Sequence, residues 1–286
     1  MCLRSFDSVD GIRPPRLGLN VRPPPFRLPA LSDYSSLEAE FHDPFWEAEG
    51  PSAELPLLTS FLECFPGPSI EIGCGSGRLL LPLLAAGFEI EGIEPSADML
   101  LLCSQKAAGA KPVLHHGTIE DFTASKAYAA AVIPAFTLQL TPDPALMLAS
   151  IANILEPGGG LYLSVFRPEA ELAGEIPSNQ WYPDYETRLA DGRIAAMETR
   201  YRLDRPKKLL HREHRYQLMD GDRRLLTEHL CQQTIRWFGN HELFQLIESA
   251  GFEIGRAFGE FDPDEAVRSS TKDKEHQIVT IQAALA

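Results

Sequence analysis

Glu71-Ile72-Gly73-Cys74-Gly75-Ser76-Gly77 decides the fold of this chain. Ser69 to Ile72 reads as a short strand, and three glycines at alternate positions then let the backbone turn sharply. A helix over residues 78–86 follows, closed by Gly87. Before the turn, residues 53–65 read as a helix with Leu55, Leu58, Leu62 and Phe65 on one face. After it, strands are expected over 88–93 and 113–115, with a helix capped by Ser96 between them. Residues 129–134 carry no charge, as suits a strand buried on both faces. Thr141 is expected to cap a helix with Pro142 at its first position, running to about Leu155. Pro157-Gly158-Gly159-Gly160 then leads into a strand over 161–166. Strand alternating with helix implies an α/β fold, a doubly wound, mostly parallel sheet.

Past Phe166 the rhythm changes. Residues 193–203, 208–219 and 223–237 read as three strands joined by the turn residues Asp204-Arg205-Pro206 and Asp220-Gly221-Asp222. Strands with short turns make an antiparallel β-meander, here an insertion after the fifth strand. Residues 240–250 return to helix, and 252–258 and 276–282 read as a closing strand pair. The expected organisation is a proline-rich arm over 1–32, an α/β domain over 33–166 and 240–286, and a meander lid over 167–239.

The chain has 286 residues and a formal net charge of −14. That balance argues against nucleic-acid and anionic-membrane partners, which need a basic surface. Five scattered cysteines without a C-x-x-C pair read as reduced thiols in a cytoplasmic protein. No apolar run is long enough to span a bilayer, and no His, Cys and Asp cluster has metal spacing.

Two ligand classes compete for the turn. A dinucleotide site wants G-x-G-x-x-G, with the pyrophosphate on free amides at the helix start. Here the spacing is G-x-G-x-G, with Glu71 two places before the first glycine. A carboxylate there suits a cationic ligand end such as an amino group. Glu94, at the tip of the second strand, is placed to accept from both hydroxyls of a ribose. An adenosine carrying an amino-acid tail satisfies both.

Residues 71–88, E-I-G-C-G-S-G-R-L-L-L-P-L-L-A-A-G-F, resemble the first motif of class I S-adenosylmethionine-dependent methyltransferases. Residues 90–100, I-E-G-I-E-P-S-A-D-M-L, resemble the second, where that family usually has Asp in place of Glu94. Residues 154–164, I-L-E-P-G-G-G-L-Y-L-S, resemble its fifth-strand motif. The resemblance implies a Rossmann-like fold and S-adenosyl-L-methionine held by Glu71, Gly73, Cys74, Gly75, Gly77, Glu94, Pro95, Met99, Thr118, Ile119, Glu120 and Pro134. Residues 236–252, following the meander, are similar to a small-molecule subset that includes amino-sugar N-methyltransferases. That subset often has A-E-Y-Y-D where this chain has Ala39-Glu40-Phe41-His42-Asp43, so His42 stands where a tyrosine would face the cofactor.

The expected activity is transfer of a methyl group to N or O of a small-molecule acceptor. His42 is the candidate general base, and Thr137, Gln139, Trp181 and Tyr182 are candidate acceptor contacts. His115 and His116, beside the adenine loop, read as structural. The meander carries 12 Lys+Arg against 9 Asp+Glu over residues 181–240, which reads as a solvated strand face, a lid over an anionic acceptor or a homodimer contact. The alternatives are a non-catalytic module that binds the same cofactor and a nicotinamide-dependent oxidoreductase.

Overall fold

The computed structural model describes residues 34–50, 52–107, 109–269 and 276–286; the expected arm over 1–32 lies outside them. Strand β1 (Ser69–Ile72) lies in the interior of a seven-stranded sheet. It pairs in parallel with β2 (Ile90–Glu94) on one side and β4 (Tyr128–Ile133) on the other. With β3 (Leu114–His116), β5 (Leu155–Phe166), β10 (Phe252–Gly259) and β11 (Ile278–Leu285), the order is β3-β2-β1-β4-β5-β11-β10. Only the β10 and β11 pairings are antiparallel. The chain leaves β1 for β2 on one side and later returns to β4 on the other. That reversal opens a crevice at the carboxyl ends of these strands.

Both faces of the sheet are covered. On one, α2 (Leu55–Cys64), α3 (Leu80–Ala85) and α4 (Ala97–Lys106) pack Leu58, Phe61, Leu80, Leu83 and Cys103 against Ala130, Val132 and Tyr162. On the other, α5 (Pro144–Ala152) and α7 (Asn240–Ser249) pack Leu148, Ile151, Leu243 and Ile247 against Ile70, Ile72 and Ile133. Every residue of β4 is buried, which explains its uncharged sequence.

The antiparallel insertion forms a separate sheet of four strands, β6-β7-β8-β9, not three. They are β6 (Tyr182–Arg188), β7 (Ile194–Asp204), β8 (Leu209–Met219) and β9 (Leu225–Arg236). The unexpected β6 is an edge strand with a register shift beside Pro183, and its alternating exposed charges hide it from a hydrophobic-period reading. A short helix, α6 (Glu169–Ala173), joins the two sheets.

Two further differences concern helices. The segment containing His42 lies within a helix, α1 (Leu37–Glu49), where no helix was expected. Its Leu37, Phe41 and Phe45 pack on Ala195, Met197, Tyr216 and Leu218 of the meander. The helix expected from Thr141 begins at Pro144 instead, because the Asp143 carboxylate accepts from the Leu146 amide at 3.0 Å. Both positions precede a proline, and the carboxylate side chain is the one that caps.

Candidate functional site

A cavity of about 1020 Å³ opens at the crevice between the two sheets. That is at the upper end of the range for small-molecule sites, about 300–1,000 Å³. Its floor is the glycine turn. Gly73 and Cys74 donate their amides to the Ile93 carbonyl, at 2.8 and 3.1 Å, and Gly77 donates to the Cys74 carbonyl at 2.9 Å. Glu94 closes the frame: Oε2 accepts from the Gly75 amide at 3.0 Å and Oε1 from the Ser96 amide at 2.8 Å. Burial pushes the Glu94 carboxyl above its ordinary range, while those two amides pull the other way.

Of the expected cofactor positions, Gly73, Gly75, Glu94, Pro95, Met99, Thr118, Ile119 and Glu120 line this cavity. Glu71, Cys74, Gly77 and Pro134 do not. Cys74 turns into the core, where a side chain at Gly92 would collide with its sulfur. Gly77 is required by packing: a Cβ there would stand 2.6 Å from the Cys103 sulfur and 2.9 Å from Leu81 Cγ. Pro134 serves through its carbonyl, which accepts from the Thr137 hydroxyl at 2.9 Å. The amides of Gly73, Cys74, Gly75 and Gly77 are spent within the protein.

Glu71 is buried behind the turn, on the sheet face it shares with Val132. Burial holds its carboxyl well above the usual range, opposed by Arg78 and reinforced by Glu54 and Glu94. Its Oε2 has no hydrogen-bond partner among the described residues. Glu54 beside it accepts from the Ala135 amide at 3.1 Å. Ala135 and Phe136 both take left-handed backbone, with φ of 52° and 66°, so this carboxyl steadies a strained bend at the cavity wall.

Thr137 lines the cavity, as expected of an acceptor contact. Gln139 also reaches the wall, but it is not free to orient an acceptor. Its Nε2 donates to the Phe166 and Arg236 carbonyls, both at 2.8 Å, and its Oε1 accepts from the Phe166 amide at 2.7 Å. It therefore clasps the end of β9 to the end of β5. Gln139→Ala leaves three backbone groups without partners and is expected to cost about 2–4 kcal/mol, read as a lower urea midpoint. A midpoint shift under 0.5 kcal/mol would remove the clasp from the account.

Trp181 and Tyr182 do not line the cavity. Trp181 stacks between Arg200 and Arg215, at 4.9 and 4.1 Å, and Tyr182 packs against the cluster around Tyr201 and Trp237. The cavity meets the opposite edge of the meander. The register pairs Leu209 with Arg236 and His211 with Thr234, and these four share one face turned to the cavity. Gln233 reaches it from the other side of β9, where its amide donates to the Tyr34 hydroxyl at 3.1 Å. Tyr34 also accepts from Ser96 through its carbonyl, at 2.8 Å, so the segment before α1 closes the Ser96 end of the cavity. The meander arginines are not simply solvated. Arg200 is buried against Glu213, Arg212 meets Glu171 at 2.6 Å and Arg215 meets Glu198 at 2.9 Å.

His42 lines the cavity from α1, between Tyr34 and Trp46. Burial lowers its pKa from the ordinary histidine value, with Asp43 opposing. His115 pairs with Glu91 at 2.7 Å, and His116 bonds the Pro95 carbonyl at 3.0 Å while lining the cavity. Among the described residues no group of His, Cys, Asp and Glu is placed to hold a metal ion, and no helix is long and apolar enough to cross a membrane.

Comparison with known proteins agrees with this geometry. The fold recurs in the CcbJ methyltransferase of Streptomyces caelestis, at a TM-score of 0.68 and 20% identity over 89% of this chain and 99% of that one. An uncharacterized protein of Mycobacterium tuberculosis is 27% identical over 182 residues, 62% of this chain and 58% of the relative. A dTDP-3-amino-3,6-dideoxy-alpha-D-glucopyranose N,N-dimethyltransferase of Streptomyces fradiae is 31% identical over 104 residues, 35% of this chain and 40% of the relative. The chain thus spans between two fifths and three fifths of the length of these curated relatives. A family model described as a methyltransferase domain matches residues 55–256. With the glycine turn, the Glu94 frame and β1 to β5 all inside that match, the chain belongs to the methyltransferase-domain family.

Proposed function

We propose that this protein transfers a methyl group from S-adenosylmethionine to a nitrogen or oxygen of a small-molecule acceptor. The observation that carries the reading is Glu94. Its two oxygens are fixed by the Gly75 and Ser96 amides, and the residue lines the cavity, an arrangement suited to the two hydroxyls of a ribose. Met99 and Ile119 offer apolar surface to an adenine, with Thr118 and Glu120 at its rim. The acidic group of Glu94 at the cavity, with Glu71 and Glu54 buried behind the turn, favours a cationic amino-acid end over Gly73. The same features oppose a dinucleotide, because a pyrophosphate would meet carboxylates and amides already engaged.

The sulfonium supplies an activated methyl group, so the protein's task is alignment. A well-oriented attack contributes about 7–11 kcal/mol through proximity. Thr137 and the β8–β9 face, with Arg236 and His211, border the space left for an acceptor. In this reading the meander, over residues 167–239, is the lid. His42 takes the acceptor's proton if the acceptor is protonated. The Streptomyces fradiae relative is named for N,N-dimethylation of an amino-sugar nucleotide, which fits an amine acceptor here. Isothermal titration with S-adenosylmethionine and S-adenosylhomocysteine tests the cofactor. Binding of neither at millimolar concentration, or binding of NADH instead, overturns the proposal. Labelled cofactor with a panel of amines and hydroxyl compounds separates an enzyme from a binding module.

The lowered pKa of His42 sets the expected pH profile. The neutral imidazole is the active form, so activity should persist through the ordinary histidine range and fall only below it as the ring protonates. His42→Gln should remove that acid limb. A limb that survives the substitution belongs to another group.

We also propose a homodimer through the meander in a cytoplasmic protein. β9 ends the four-stranded sheet with Leu225, Leu226 and Leu230 more than half exposed. A sedimentation profile that stays monomeric across micromolar to millimolar concentration would rule the dimer out.

A further inference from the structure

Asp43, half-buried on α1, gathers partners on both of its oxygens. Its Oδ1 accepts from the Ser76 hydroxyl at 2.5 Å and lies 3.1 Å from His42 Nδ1. Its Oδ2 meets Lys106 Nζ at 2.6 Å. Lys106 also donates to Ser76 Oγ at 3.1 Å. The partners come from three places: α1 itself, the fully buried serine inside the glycine turn, and the last residue of α4. Burial alone pushes the Asp43 carboxyl up, but hydrogen bonds from His42, Lys106 and Ser76 outweigh it and hold the carboxyl below its usual range.

These contacts fix where the protons lie. Ser76 has one hydroxyl proton and accepts from Lys106, so it donates to the near oxygen of Asp43 and not to His42 Nδ1, which is 3.4 Å away. An unprotonated Nδ1 would then set its lone pair against an anionic oxygen at 3.1 Å. Protonated, it donates a charge-assisted hydrogen bond. Nε2 has no hydrogen-bond partner among the described residues, on a ring that lines the cavity.

We propose that Asp43 is a positioning residue that fixes the tautomer of His42, with the proton on Nδ1 and the lone pair of Nε2 presented to the cavity. Ser76 and Lys106 hold Asp43 in that role. Ser76 belongs to the turn that floors the cofactor cavity, so the same turn sets the reach of His42. The inference rests on the reading of His42 as the base. When the acceptor's N–H or O–H bond breaks, its electron pair stays on the acceptor and its proton goes to Nε2. Asp43 then faces the imidazolium, and Nε2 returns the proton to solvent.

The test is a long-range proton–nitrogen correlation spectrum of the full chain, labelled in its eight histidines and saturated with S-adenosylhomocysteine. Loss of one signal set in His42→Gln assigns the ring. The expected pattern is a pyrrole-type Nδ1 and a pyridine-type Nε2. In Asp43→Ala the two types should interchange or average, because the intrinsic preference of imidazole is then unopposed. Ser76→Ala leaves Lys106 to hold Asp43 against His42 and should keep the wild-type pattern. A wild-type ring protonated on Nε2 overturns the proposal without any variant. So does an unchanged tautomer in Asp43→Ala. A correct tautomer together with full methyl transfer in His42→Gln would leave the positioning intact and remove the base.

Discussion

Glu94→Ala is expected to weaken S-adenosylhomocysteine binding by about two to four orders of magnitude. Glu94 is 6% exposed, so its hydrogen bonds form in a partly dried site. Hydrogen bonds to a charged group contribute about 1.5–3 kcal/mol each. Two ribose hydroxyls on one carboxylate therefore contribute about 3–6 kcal/mol, and every 1.4 kcal/mol is about tenfold in affinity. The substitution also leaves the Gly75 and Ser96 amides without their acceptor. The fold must therefore be checked first, by the urea midpoint of the unliganded chain. Glu94→Asp separates the two effects. It keeps the carboxylate, matches the residue usual in the resembling family, and should bind within about tenfold of wild type. Titration calorimetry decides, and an alanine variant within threefold of wild type would remove the ribose from this residue.

The place of Glu94 at the cavity was legible in the sequence because it follows from local chain geometry. A strand end after a glycine turn must point at whatever the turn holds. The same logic gave Gly73 and Gly75. It failed at Gly77 and Cys74, since a glycine needed for ligand approach and one needed for helix packing look identical in one dimension. Gly77 makes room for Cys103 and Leu81, residues of helices whose packing no local pattern reveals. Gln139 misleads for a related reason. A polar residue in an apolar stretch suggests a ligand, yet its partners are backbone groups 27 and 97 residues away. The cavity face of the meander was the least legible part. Whether Thr234 or Ile235 turns to the cavity depends on strand register, and that is set by burying Leu210 and Ile235 on the far face. The charged and aromatic residues that drew attention, Trp181 and Arg215 among them, stack on each other instead.

Gly73→Ala should damage both stability and cofactor binding. Gly73 has a φ of 73°, where an L side chain costs about 1–2 kcal/mol. The added Cβ would lie 2.5 Å from Thr137 Cγ2 and 2.9 Å from its hydroxyl. Thr137 cannot yield easily. Its branched side chain is stiff at χ1, its hydroxyl is held by the Pro134 carbonyl, and it follows two residues already in left-handed backbone. Overpacking of this kind costs about 1–3 kcal/mol, so the sum is about 2–5 kcal/mol in the unliganded chain. Cofactor binding should fall further, because Gly73 and Thr137 both border the cavity and any relief moves one of them into it. A double-mutant cycle isolates the contact. Thr137→Ser removes Cγ2 while keeping the hydroxyl, and should be nearly silent alone. In the Gly73→Ala background it should restore about 1–2 kcal/mol, the part owed to the clash, and leave the part owed to backbone strain. Strict additivity of the two substitutions would mean that the turn and the bend at Thr137 move independently. The cavity would then lack the rigid wall on which alignment of an acceptor depends.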